Sequence, residues 1–121
     1  MNEKLNKELV EYIENEVFPL YERNEVGHGI GHIKTVIKRS LNLAQNYDVD
    51  LDMVYTIASY HDIGHYIDRK KHEIISAEMF MEDEKAKKWF TDAQRKKMIL
   101  VLEINQWMKK FFKEQKIELE I

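Results

Sequence analysis

Apolar positions recur along this chain at three- and four-residue intervals, the pattern of helices that bury one face. Leu5, Leu9, Tyr12, Ile13 and Val17 share such a face, which predicts a helix from about Glu3 to Tyr21. Pro19 is expected to kink or end it, because proline lacks an amide donor and clashes with the preceding turn. Gly27, Gly29 and Gly31 then bracket His28, a poor setting for regular helix. Ile33, Val36, Ile37, Leu41 and Ala44 define a second helix, from about Gly31 to Tyr47. Asp48-Val49-Asp50 interrupts the pattern, and Asp50 is a suitable N-cap for the third helix. That helix carries Leu51, Val54, Tyr55, Ile57, Ala58 and His61, with Gly64 as its expected stop. A fourth helix is predicted from about His72 to Met81. Thr91-Asp92-Ala93-Gln94 has the spacing of a capping box, so a fifth begins near Asp92. Four glycines and one proline are too few turn residues for a hairpin-rich fold. The expected fold class is all-α, a compact bundle of about five helices.

Composition narrows the function rather than the fold. A length of 121 residues suits one domain, 1–121, and 44% apolar with 34% charged residues is ordinary for a globular chain. The formal charge is −3, with the signs interleaved, so no basic stripe invites a nucleic acid polymer. No stretch is long and apolar enough for a membrane span, and neither end reads as a targeting peptide. Cysteine is absent, which excludes disulfides, thiolate catalysis and sulfur-ligated metal. A cytoplasmic enzyme or binding domain is the expectation.

The candidate chemistry is concentrated in five histidines, at 28, 32, 61, 65 and 72. His61 and Asp62 lie side by side near the end of the third helix, and imidazole with carboxylate suits divalent metals. Neighbouring helical residues point about 100° apart, so the two can meet one ion only beside the helix, where the chain turns at Gly64. A third ligand must come from another helix. His32 is well placed, opening the second helix beside glycines that would allow close approach. A single helical histidine is usually an ordinary packed or surface residue, and a His-Asp dipeptide alone carries little weight. The spacing of His28 and His32, four apart, is also common by chance. Met79, Phe80, Met81, Trp89 and Phe90 read as packing residues, and the runs 82–88 and 109–116 as solvated faces.

The segments GHGIGHIKTVIKRSLNLA (27–44) and ASYHDIGHYIDRKKHEIISAEMF (58–80) resemble the HD domain superfamily of metal-dependent phosphohydrolases. The likeness covers roughly Glu22 to Lys97. It implies that His32 and the doublet His61-Asp62, 29 positions later, bind a divalent metal ion (Mn, Fe, Co, Ni, Zn or Mg). It also implies that His72 serves a second metal or a phosphate. The implied reaction is hydrolysis of a small phosphorylated substrate such as a nucleotide. Asp62 would bridge metals or orient water, His65 would protonate the leaving oxygen, and His28 and Arg69 would contact substrate. Lys70 and Lys71 add charge beside Arg69, or form with it an ordinary solvated turn.

Two features depart from the resemblance. Thr35 stands where many members carry arginine. More seriously, no histidine follows His72, and the last aspartate is Asp92, better read as part of a helix cap than as the distal ligand. Glu103 is a weaker substitute. The sequence is therefore expected to be a shortened or altered member, as from an interrupted reading frame, with an atypical tail over 98–121. The competing expectation is an impaired HD domain that binds metal or nucleotide without turnover. A paired-iron oxygenase needs more ligands than the sequence offers. Trp107, Phe111, Phe112, Ile117, Leu119 and Ile121 make the tail apolar, and a homodimer through it is expected.

Overall fold

Leu5, Leu9, Ile13, Val17 and Tyr21 are spaced four apart, and all five are buried. In an α-helix each such step gains about 40° around the axis, so the row would drift off one face. The chain corrects this locally. The computed structural model describes residues 4–114, with the backbone alone described at 105–107 and 109–114. Helix α1 spans only Lys7–Tyr12 and passes into a π-helical turn, Ile13–Val17, closed by the amide of Phe18 on the carbonyl of Ile13. A π turn takes more residues per turn and so brings Ile13 and Val17 back over the core. A 3-10 segment, Phe18–Arg23, follows.

The expected continuous helix from Glu3 to Tyr21 is thus corrected on two counts. Its winding changes twice, and it continues past Pro19 to Arg23. Proline is tolerated because it falls in the first turn of the 3-10 segment, where an amide is not needed. At the start, the Asn6 side chain accepts from the amides of Glu8 and Leu9, at 3.0 and 3.1 Å.

Helix α2 spans Ile30–Ala44, α3 Leu51–Tyr60, α4 His72–Glu82 and α5 Asp92–Glu114. These are five α-helices with no strand among the described residues, as expected. α2 ends three residues before Tyr47, because Asn46 and Tyr47 bond back only three residues, to Leu43 and Ala44. Asp50 caps α3 by accepting from the amide of Met53 at 3.2 Å. The capping box of α5 is reciprocal: Gln94 donates to the Thr91 hydroxyl oxygen and the Thr91 amide to the Gln94 side chain, at 3.1 and 2.9 Å.

α3 is the central element. It packs against α2, α4, α5 and the π turn, and buries Tyr55, Thr56, Ala58, Ser59 and Tyr60. The hydroxyls of Tyr12 and Tyr60 both donate to the carboxylate of Asp83, which ties α1 and α3 to the end of α4. α4 and α5 pack against each other beside this centre. The side chains of Trp107, Phe111 and Phe112, and residues Ile117, Leu119 and Ile121, lie outside the described residues, and with them the expected dimer surface. No helix among the described residues is long and apolar enough to cross a membrane.

Candidate metal centre

Gly64 sets the geometry of the site. A Cβ built there would lie 2.6 Å from Cγ2 of Ile75 and 2.9 Å from the backbone nitrogen of Ser76. Only glycine lets the turn after α3 press directly on α4. The Gly64 amide donates to the Ser76 hydroxyl at 2.9 Å, fixing the contact. The sequence reading gave Gly64 the task of stopping α3. The helix already ends at Tyr60, with His61 as its C-cap, and the glycine instead serves close approach. The reverse correction applies around His32. A Cβ at Gly27 or Gly31 would meet nothing within 4 Å, so those glycines provide no close approach there.

All five histidines gather around Asp62, which is 3% exposed. Its Oδ2 faces His28 Nδ1 at 3.0 Å, His32 Nε2 at 3.6 Å and His61 Nε2 at 3.6 Å. Its Oδ1 faces His72 Nε2 at 3.2 Å. His65 stacks on His28 with ring centroids 3.7 Å apart, and lies 5.1 Å from His72. Burial pushes the Asp62 carboxyl up, but the His72 hydrogen bond, the His61 charge and the His28 hydrogen bond outweigh it. The group is held well below the usual carboxylate range.

Backbone carbonyls set the tautomers. His61 Nδ1–H donates to the Ala58 carbonyl at 2.7 Å, which leaves the lone pair on Nε2, the atom turned towards Asp62. His72 Nδ1–H likewise donates to the Arg69 carbonyl at 2.8 Å. The hydrogen bond to Asp62 raises the pKa of His72 against the opposing effect of burial. Burial, with the charges of His28 and His72, lowers that of His65, whose buried Nδ1 has no hydrogen-bond partner among the described residues.

These donors fit a divalent ion. Ligand atoms of His32, His61 and Asp62 lie within 4.8 Å of one another. Two ligands each about 2.1 Å from one ion in a tetrahedral site stand about 3.4 Å apart, close to the 3.6 Å between each imidazole and Oδ2. Two imidazoles with one carboxylate favour first-row transition ions over magnesium.

The structure thus brings together the three ligands named from sequence, and places His28, His65 and His72 around the same carboxylate. Arg69 touches the centre only through its carbonyl. Its exposed guanidinium lies 3.4 Å from Glu25. Asp92 pairs with Arg95 at the start of α5, in keeping with its reading as a cap-region residue, and Glu103 is not in the three-ligand group.

Three supporting residues escaped the sequence reading. The Asn24 amide donates to the carbonyls of His28 and Asp62, at 2.9 and 2.8 Å, and joins the two segments. The Tyr21 hydroxyl donates to the Ser59 carbonyl at 2.6 Å and accepts from the Asp62 amide at 3.4 Å. Glu73, 4% exposed, puts Oε1 3.5 Å from His72 Nε2. No sequence spacing signals the first two. Glu73 was visible as the neighbour of His72.

An all-helical domain with a buried aspartate facing imidazoles from three helices is the class of protein that fold and site define. The chain matches the HD domain family over residues 29–120 and belongs to it. The match runs well into the segment 98–121. No curated protein and no solved structure matches the chain.

Proposed function

We propose that this chain is a cytoplasmic metal-dependent phosphohydrolase that cleaves a phosphoester of a small molecule such as a nucleotide. One observation carries the reading: His32 and His61 turn Nε2 atoms towards a single buried oxygen of Asp62, with the other His61 nitrogen already committed. Membership of the HD domain family supports it. His32, His61 and Asp62 hold the ion. Once bound, it supplies a water of lowered pKa and polarises a phosphoryl oxygen.

The chain's own groups do the rest. Asp62 is ionised across the neutral range, so it is ready as a ligand and as a hydrogen-bond acceptor that orients the attacking water. His72 fixes Oδ1 and leaves Oδ2 to the ligand side, and it is the nearest candidate for contact with a second ion. His28, half-buried beside Oδ2, faces the same space and is assigned to substrate. Arg69 is assigned to phosphate because its guanidinium has one weak, exposed partner to exchange. His65 is assigned to the leaving group as a hydrogen-bonding residue, because its buried Nδ1 lacks a partner within the described protein, while its lowered pKa argues against the proton donation expected from the sequence.

A second reading has its own support. Neither Asp92 nor Glu103 joins the three-ligand group, which favours a binding domain without turnover. Elemental analysis of purified protein and of His61→Ala, followed by a phosphoester screen, separates the two. Stoichiometric metal lost in the variant, with hydrolysis by the parent, is expected. Metal without hydrolysis of any phosphoester leaves the binding domain. No metal after reconstitution overturns the hydrolase and leaves a non-catalytic domain, whose remaining test is nucleotide binding.

A further inference from the structure

Two loops border the histidine centre on the side of His28 and His65, and one charged pair joins them at the surface. Asn24 fixes the first loop: its side chain donates to the carbonyls of His28 and Asp62 and accepts from the Tyr66 amide at 3.0 Å. The Glu25 carbonyl accepts from the His28 amide at 2.8 Å, so the backbone that carries Glu25 is held on both sides. In the second loop the Arg69 carbonyl accepts from His72 Nδ1, and the Asp68 carboxylate is committed to the amides of Lys70 and Lys71, at 2.8 and 3.3 Å. Arg69 and Glu25 meet across the gap, Nη1 to Oε1, at 3.4 Å.

Glu25 is more than the partner of Arg69, because its charge reaches the centre. Burial and the charges of His28 and His72 lower the pKa of His65, and the Asp62 and Glu25 carboxylates oppose them. The side chains of Arg69 and Glu25 are 72% and 64% exposed, so the pair holds weakly and can be exchanged. A phosphate oxygen bound at the same Arg69 nitrogen, about 2.9 Å away, would stand no more than about 6 Å from Glu25 Oε1. That is within the Debye length of about 8 Å at physiological salt, so the repulsion between them persists. Even at the dielectric constant of water it weakens binding about threefold for each negative charge on the phosphate.

We infer that Glu25 is a specificity residue of this site: it holds Arg69 until a phosphate displaces it, then penalises that phosphate by its charge. The site is thereby biased towards a phosphoryl group carrying one negative charge, as in a phosphodiester, over a doubly charged monoester. The inference rests on the assignment of Arg69 to phosphate in the hydrolase reading, and it adds the class of ester. Glutamine in place of Glu25 keeps the side-chain length and an oxygen for Arg69, and removes only the charge.

NMR titrations of the full chain with one equivalent of zinc, near pH 8, test this with two anions. Dimethyl phosphate carries one charge there, and inorganic phosphate almost wholly two. Glu25→Gln should tighten dimethyl phosphate about threefold and inorganic phosphate about tenfold. Arg69→Gln should weaken both, and adding Glu25→Gln to it should then have little further effect, because the phosphate is no longer held beside Glu25. The inference is overturned if neither anion binds the parent, if Glu25→Gln changes both equally or not at all, or if its effect is undiminished without Arg69. Turnover is a separate readout, with p-nitrophenyl phosphate as monoester and bis(p-nitrophenyl) phosphate as diester. A parent that hydrolyses neither, yet shows the charge-dependent binding, loses the hydrolase reading and keeps the charge filter. Where both are cleaved, Glu25→Gln should raise kcat/KM for the monoester about threefold more than for the diester.

Discussion

Two carboxylates in this protein are surrounded by ring-borne donors, and they behave oppositely. Asp83 receives hydroxyls from Tyr12 and Tyr60, and its side chain also accepts from the Lys85 amide at 3.1 Å. Burial, with the Asp83 hydrogen bond and charge adding to it, raises the pKa of both phenols, so neither proton is released near neutrality. That cluster is a fixed staple between α1, α3 and the end of α4. Asp62 faces imidazoles instead, whose nitrogens can carry a proton, donate a lone pair or yield to an ion. The same arrangement, an acid ringed by aromatic donors, is a fastening in one place and an exchangeable site in the other. The difference lies in whether the donors can give up their protons.

Paired substitutions break this contrast most strongly. Asp62→Ala should remove bound metal and with it any phosphoester turnover, while the metal-free fold is largely kept. Asp83→Ala should do the reverse: it strands two tyrosine hydroxyls and removes a cap, costing about 2–4 kcal/mol, with metal content unchanged. Metal analysis beside thermal or urea unfolding reads both. An Asp83→Ala protein that loses metal at an unchanged melting temperature would erase the distinction.

Gly64→Ala probes the link between the centre and its support. The new methyl group must displace Ile75 and the backbone at Ser76, costing about 1–3 kcal/mol. Because His61 and Asp62 ride on the same turn, metal affinity should also fall on the order of tenfold. Competition with a chelator measures the second effect, and unchanged affinity would show that the turn holds its ligands without α4.

The smallest effect is alkaline. Tyr12, Tyr21, Tyr55 and Tyr60 are all raised above the ordinary value of 10.0, chiefly by burial. The folded state holds protons that the unfolded chain releases near pH 10. Their contribution to stability is therefore complete below that pH and is lost as pH rises towards the folded values. Full tyrosinate absorbance should develop only as helical circular dichroism disappears. Complete ionisation with the fold intact would contradict the burial of these rings.

What could be read in the sequence followed local rules. Asp50 and the Thr91–Gln94 box mark their helix starts because capping is a matter of adjacent residues. His32, His61 and Asp62 were found from composition, helical placement and a family likeness, and the fold brings them together. Their support was hidden because it is long-range: Asn24 reaches Asp62 through backbone carbonyls, 38 positions away. Gly64 was seen but given the wrong task, since a glycine needed for close packing and one needed to stop a helix look alike in sequence. The row of five apolar residues spaced four apart was also visible, yet its conflict with a 3.6-residue turn went unread.

That conflict has a consequence for how the gene can change. The π-helical turn at Ile13–Val17 carries one residue that an α-helix would not need. Deleting one codon there would let the segment rewind as ordinary helix with the residues before it kept in nearly the same rotation, because the π turn spends one residue more on the same angle. Leu5 and Leu9 would stay over the core, drawn in by a single residue's rise. The same deletion in the regular turns of α1 has no such slack and would rotate what precedes it by about 100°, so a change of length is better tolerated inside the π turn than beside it.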